Sequence, residues 1–183
     1  VSPARLPARS PTLDGMSPNE RRSAGLLLFR TTGESGLEVL IGHMGGPFWA
    51  GRESAAWSVP KGEYGPGEEA AAAARREFGE EFGHPAPDGA WVALGESRQS
   101  GGKTVTVWAL EADLDPAAAV PGMFTMEWPR GSGVQREFPE IDRFAWCTPE
   151  VAAERLVKGQ RVFVDRLRDV LTGGRGASAP GGS

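Results

Sequence analysis

The stretch that most constrains this sequence is a run of strong helix formers ending in three crowded glutamates. From about Glu68 to Phe82 the residues favour helix, with alanine at every position of Ala70–Ala74. Gly83 is expected to end it as a left-handed cap, and Pro85 prevents resumption. Near the end of this helix Glu77, Glu80 and Glu81 are spaced i, i+3, i+4. At about 3.6 residues per turn they fall within roughly 100° on one face. Carboxylates that close repel, and they sit where the helix dipole disfavours anions. Helix propensity gives no reason to gather them. A bound divalent cation would offset both costs. Hard oxygen donors, with no Cys or His among them, point to Mg2+ or Mn2+ rather than zinc. His84 follows the cap and is expected to point elsewhere.

The run Gly62-Glu-Tyr-Gly-Pro-Gly-Glu68 leads into this helix, and Arg76-Glu77-Phe78-Gly-Glu80-Glu81-Phe-Gly83 closes it. Together they resemble the Nudix box, G-x5-E-x7-R-E-U-x-E-E-x-G-U, where U is an apolar residue. Every fixed residue matches; His84 at the final U position is the departure. Trp57-Ser-Val-Pro-Lys-Gly62 resembles the strand and turn that precede the box, and Glu140–Trp146 the late strand that closes the active site. The resemblance covers about Ala24–Leu171. The Trp49 loop and the Met126-Glu-Trp-Pro segment are most similar to a bacterial branch of predicted NTP pyrophosphohydrolases.

The resemblance implies an α/β fold, a Nudix-type α/β/α sandwich around a mixed sheet. It implies water attack on a diphosphate phosphorus assisted by Mg2+, with Mn2+ as a substitute. Glu77, Glu80 and Glu81 would bind metal, joined by the Lys61 backbone carbonyl beside Gly62. Glu77, Arg76 and Glu140 would form the catalytic group. Arg76 would hold the loop and a carboxylate in place. In a straight helix eight residues span about 12 Å, so Arg76 can reach Glu68 only if Glu68 lies in the loop. Glu140 is the first candidate for an extra base, with Glu137 and Glu127 as rivals.

Composition is that of a soluble globular protein. The chain has 183 residues, 39% of them hydrophobic and 24% charged, enough for one domain with its own core. A net charge of −4 gives no basic footprint for duplex nucleic acid. The longest apolar run, about Ala24–Phe29, is far short of a membrane span. The single cysteine, Cys147, cannot pair internally, so a reducing cytoplasm is the expected setting.

Residues 1–22 read as a disordered arm, 23–171 as the folded domain, and 172–183 as a Gly/Ala/Ser tail. Ala24–Arg30 and Leu37–His43 read as a hairpin, and Trp57–Val59, Trp91–Arg98, Thr104–Leu114 and Ile141–Trp146 as further strands. Pro116–Arg136 reads as a long loop, and Pro149–Val157 and Arg161–Leu171 as helices.

A small nucleotide is the expected partner, and many relatives form homodimers. His43, Lys103 and Arg98 are candidates to reach its phosphates. Trp49, Phe48 and Trp128 sit in loops and are candidates to stack on a base. Trp57, Trp91, Trp108 and Trp146 are expected in the core. A nucleoside triphosphate or related nucleotide is the preferred substrate. Dinucleoside polyphosphates and ADP-ribose remain alternatives, as does a catalytically silent nucleotide-sensing domain. Isomerisation of isopentenyl diphosphate ranks last, since Cys147 lies past the closing strand with no supporting motif.

Overall fold

The computed structural model describes residues 21–33 and 36–173. The expected arm up to residue 20 and the expected tail from residue 174 lie outside them.

The sheet is organised by β1 (Arg22–Thr32) and β2 (Gly36–Met44). These pair antiparallel only near their connection, from Phe29 opposite Val39 to Thr32 opposite Gly36. Beyond that β1 and β2 part, and the segment after the next loop fills the gap. There β3 (Trp57–Ser58) pairs with β2, and β4 (Lys61–Glu63) pairs with Ser23–Gly25 of β1. Gly25 is required by this approach, because a Cβ would lie 2.7 Å from the Pro60 carbonyl oxygen. β5 (Trp91–Arg98) is antiparallel to β6 (Thr104–Glu111), which runs parallel to β1. β9 (Ile141–Cys147) is antiparallel to β2. The sheet is therefore mixed, as expected.

Strand alternation sends β1 side chains to two cores. Leu27 and Phe29 join Val39 and Ile41 under α2 (Pro149–Arg155) and α3 (Arg161–Gly173), against Leu156, Phe163, Val164 and Leu167. Leu26 and Leu28 face the other way, with Leu40, onto Phe78 and Phe82 of α1 (Ala70–Phe82). Each such buried side chain contributes about 1.5–3 kcal/mol. Helices thus cover both faces, giving the α/β/α sandwich. At the start of α1, Ala73 and Ala74 meet Ala24 of β1, so small side chains let the helix lie close to the sheet. Trp57 is buried, while Trp91, Trp108 and Trp146 pack partly buried against the cores.

Several expected boundaries shift. α1 begins at Ala70, not Glu68, leaving Glu68 in the preceding loop. β1 starts at Arg22, inside the expected arm, and α3 runs to Gly173. The expected long loop at 116–136 contains regular structure: a 3-10 turn at Pro116–Ala118 leads to a hairpin of β7 (Met123–Glu127) and β8 (Gln135–Pro139), a small sheet of its own. Gly83 caps α1 at φ 86°, as expected, its N–H donating to the Gly79 carbonyl. Cys147 is buried, its Sγ 3.4 Å from an Arg155 nitrogen. Among the described residues no helix is long and apolar enough to cross a membrane.

Candidate active site

β4 brings its backbone under the last turns of α1. The Glu77 carboxylate lies directly over Gly62, where a Cβ would sit 1.9 Å from a Glu77 oxygen. Only glycine leaves that space. One turn later, Glu81 accepts a hydrogen bond from the Lys61 backbone N–H at 3.0 Å. The strand therefore fixes two of the three helix glutamates.

Arg76 fixes the rest. Its Nε and Nη2 grip Glu68 at 2.9 and 3.0 Å, and its Nη1 donates to Glu77 at 2.6 Å and to Glu80 at 3.3 Å. The ion pair across eight residues forms because Glu68 precedes the helix and folds back. The carboxylate neighbours hold the Arg76 guanidinium well above its ordinary value, Glu68 first and Glu77 second.

The electrostatics of this corner are adverse to anions. Burial pushes Glu81 up to about 8, opposed by Lys61 and reinforced by the charges of Glu77 and Glu140. Burial raises Glu77 too, against the pull of Arg76. The Lys61 ammonium is lowered, first by burial and then by Lys103 nearby, with Glu81 opposing. Displaced carboxylates of this kind cluster at functional sites.

Beside these groups opens a cleft of about 260 Å³. Lys61, Glu81 and Glu140 line it together with the apolar Met44, Trp49, Phe124 and Ile141. Glu140 thus shares the cleft with Glu81, at the head of β9 as expected. Its rivals are placed otherwise: Glu127 accepts the Gly133 N–H at 2.7 Å within the hairpin, and Glu137 is exposed on β8. Lys103 lies at the β4 rim, 3.2 Å from Glu63, which also pairs with Arg21. His84 turns away, bonded through Nε2 to the Ala118 carbonyl at 2.8 Å.

His43 does not reach the cleft. It is fully buried, with Nδ1 2.9 Å from both Asp142 oxygens and Nε2 2.7 Å from the Arg52 carbonyl. Both ring nitrogens are spent on protein partners, so the expectation that His43 contacts phosphate is corrected: it bolts the β2–β3 loop to β9. Asp142 and Phe124 went unnoticed in the sequence. Asp142 is visible only as the third residue of Glu-Ile-Asp, and Phe124 lay inside the supposed loop.

Among the described residues no three His, Cys, Asp or Glu side chains already converge as a metal site. The donor set nonetheless fits a hard divalent cation. It consists of carboxylates, and two of them, Glu77 and Glu81, carry raised proton affinities that a cation would relieve.

Comparison with known proteins agrees with this geometry. The family model of the NUDIX domain matches residues 19–167. Comparison with curated protein sequences gives no match. Similar folds occur in a mutT/nudix family protein from Listeria innocua (TM-score 0.58, 16% identity, 89% of this chain and 100% of that one). They occur also in the NUDIX domain of Shewanella oneidensis NrtR complexed with ADP ribose (0.56, 14%, 87% and 96%). A C. elegans Ap4A hydrolase binary complex is a third (0.55, 20%, 82% and 98%). With the box glutamates, their arginine and their glycine in one corner, the chain belongs to the Nudix hydrolase superfamily, as a pyrophosphohydrolase acting on acid anhydrides.

Proposed function

We propose that this enzyme cleaves the pyrophosphate linkage of a nucleotide, with a nucleoside triphosphate as the preferred substrate, using Mg2+ held by Glu77, Glu80, Glu81 and the Lys61 carbonyl. The observation that carries this reading is the strand-helix corner: Glu77 seated over Gly62 and Glu81 on the Lys61 N–H, sharing a cleft with Glu140. The similarly folded proteins named for Ap4A hydrolysis and for a complex with ADP ribose support a nucleotide as the ligand class.

The metal would neutralise phosphate charge and acidify the attacking water. Arg76 keeps Glu77 and Glu80 aimed, binding both through one nitrogen while anchored on Glu68. Glu140, exposed on the cleft, takes the proton of the attacking water. Lys103 meets substrate phosphate at the rim, and Trp49 meets the remainder.

The test is a panel of NTPs, ADP-ribose, dinucleoside polyphosphates and NADH, with and without Mg2+, beside a Glu80→Gln, Glu81→Gln double variant. Metal-dependent cleavage of one of these, lost in the variant, is the expected result. An intact protein that turns over nothing, yet melts at higher temperature with nucleotide present, would transfer the site to nucleotide sensing.

A further inference from the structure

Among the described residues four polar side chains are buried, and two of them, Ser58 and Gln160, bond each other. Gln160 ends the 3-10 turn Lys158–Gln160 between α2 and α3 and is 1% exposed. Burying an amide costs free energy unless its hydrogen bonds are met. Here Oε1 accepts the Val59 N–H at 2.7 Å and Nε2 donates to Ser58 Oγ at 3.1 Å. The Ser58 hydroxyl in turn donates to the Val59 carbonyl at 2.8 Å. Donors and acceptors run one way round this ring, so an amide is what closes it. Gln160 thereby holds both backbone polar groups of Val59.

Val59 lies in the crossing from β3 to β4, outside the ladders of both strands. Pro60 has no N–H, so the next donor along the chain is that of Lys61, and it goes to Glu81. The crossing from Val59 to Lys61 thus has two N–H groups. Gln160 takes one from the side of α2 and α3, and Glu81 takes the other from the side of α1. The link between them is stiff: Val59 precedes a proline, Pro60 has a fixed φ, and its carbonyl accepts the Leu26 N–H at 3.1 Å. The turn that carries Gln160 is itself braced. Ser97 Oγ donates to the Gly159 carbonyl at 2.7 Å, and a Cβ on Gly159 would lie 2.6 Å from Gln99 Nε2. With an apolar side chain at 160 the buried Val59 N–H would lose its partner, a cost that the backbone relieves only by moving.

We propose that Gln160 is a positioning residue for the strand-helix corner: from the opposite face of the sheet it sets the Val59–Lys61 crossing, and through it places the Lys61 carbonyl and Glu81 for the divalent cation. This deepens the metal-dependent reading above and rests on it.

The test titrates the full chain with Mn2+ alone, with no nucleotide, and follows free Mn2+ by electron paramagnetic resonance. Wild type is compared with Gln160→Met, Ser58→Ala and Val164→Ala. Gln160→Met keeps the length of the side chain and removes its bonds to the crossing. It should raise the Mn2+ dissociation constant roughly 10- to 100-fold, the scale on which partners behind a metal ligand act. Val164→Ala is the control for general loosening: Val164 is buried in the core under α2 and α3, and its truncation lowers the melting temperature without touching the crossing. Its Mn2+ affinity should stay that of wild type. Melting curves confirm folding. Where Gln160→Met does not fold, Ser58→Ala decides, since it opens the ring yet leaves the Val59 N–H on Gln160: weaker Mn2+ binding supports the positioning role, and wild-type binding overturns it. A folded Gln160→Met with wild-type affinity overturns the role, as does equal weakening in Gln160→Met and Val164→Ala; either leaves the metal reading standing. A wild type that binds no Mn2+ overturns the metal site itself, and this inference with it.

Discussion

Helices α1 and α2 obey opposite rules. α2 has Thr148 as N-cap accepting the Val151 N–H, proline at its first position, Glu150 in its first turn and Arg155 in its last. Each choice suits the helix dipole or its unpaired ends. α1 has no side-chain cap, no acid in its first turn and no base in its last. Its last turns carry Glu80 and Glu81 instead. It is held by burial of Phe78 and Phe82, by close-packed alanines and by its glycine cap. A helix that departs from its own preferences while tertiary packing compensates is serving something other than stability.

The contrast can be broken most forcefully at Glu81. With Glu81 in its proposed role, Glu81→Gln should lower kcat/KM by at least ~100-fold, because losing a metal ligand exceeds the usual cost of losing a ligand's supporting partner. The same change should raise the melting temperature of the metal-free protein at pH 8, since a disfavoured buried anion is gone. A variant less stable than wild type there would show that the carboxylate is structural. Gly62→Ala should displace Glu77 and cost roughly 10- to 100-fold in activity, with melting little changed because the group displaced is a side-chain end.

Gly83→Ala tests the packing that holds α1. It combines a positive φ with a Cβ 2.1 Å from the Val120 carbonyl oxygen, so urea unfolding should show about 2 kcal/mol lost. Thr148→Ala in α2 should cost about 0.5–1 kcal/mol and leave activity intact. Glu150→Gln should have the smallest effect, read as a pH dependence. Its own backbone N–H, and then Arg168, hold the Glu150 carboxyl below its usual value of 4.5. It therefore stabilises the fold above that pH, and the contribution fades as pH falls through the lowered value. The melting difference between wild type and variant should be present at pH 7 and shrink on acidification below about 4.5.

Local signals made much of this legible. The Gly83 cap and the span of β5 depend on neighbours in sequence, and both stood where expected. Other features turn on distant partners. His43 looked like a phosphate ligand until Asp142, 99 residues away, and the Arg52 carbonyl claimed its ring. The β7–β8 hairpin escaped notice because its strands are half exposed and carry no sustained apolar alternation. Glu68 read as helix by propensity, yet its bond to Arg76 needs it outside the helix.

Cys147 turns the fold into its own stopwatch. The thiol is 3% exposed on β9, and burial raises its proton affinity, so the reactive thiolate is scarce and sheltered. A thiol reagent can reach it only when β9 and its cover part. Since it is the single cysteine of the chain, the rate of labelling under native conditions reports how often that part of the molecule opens, with no added probe.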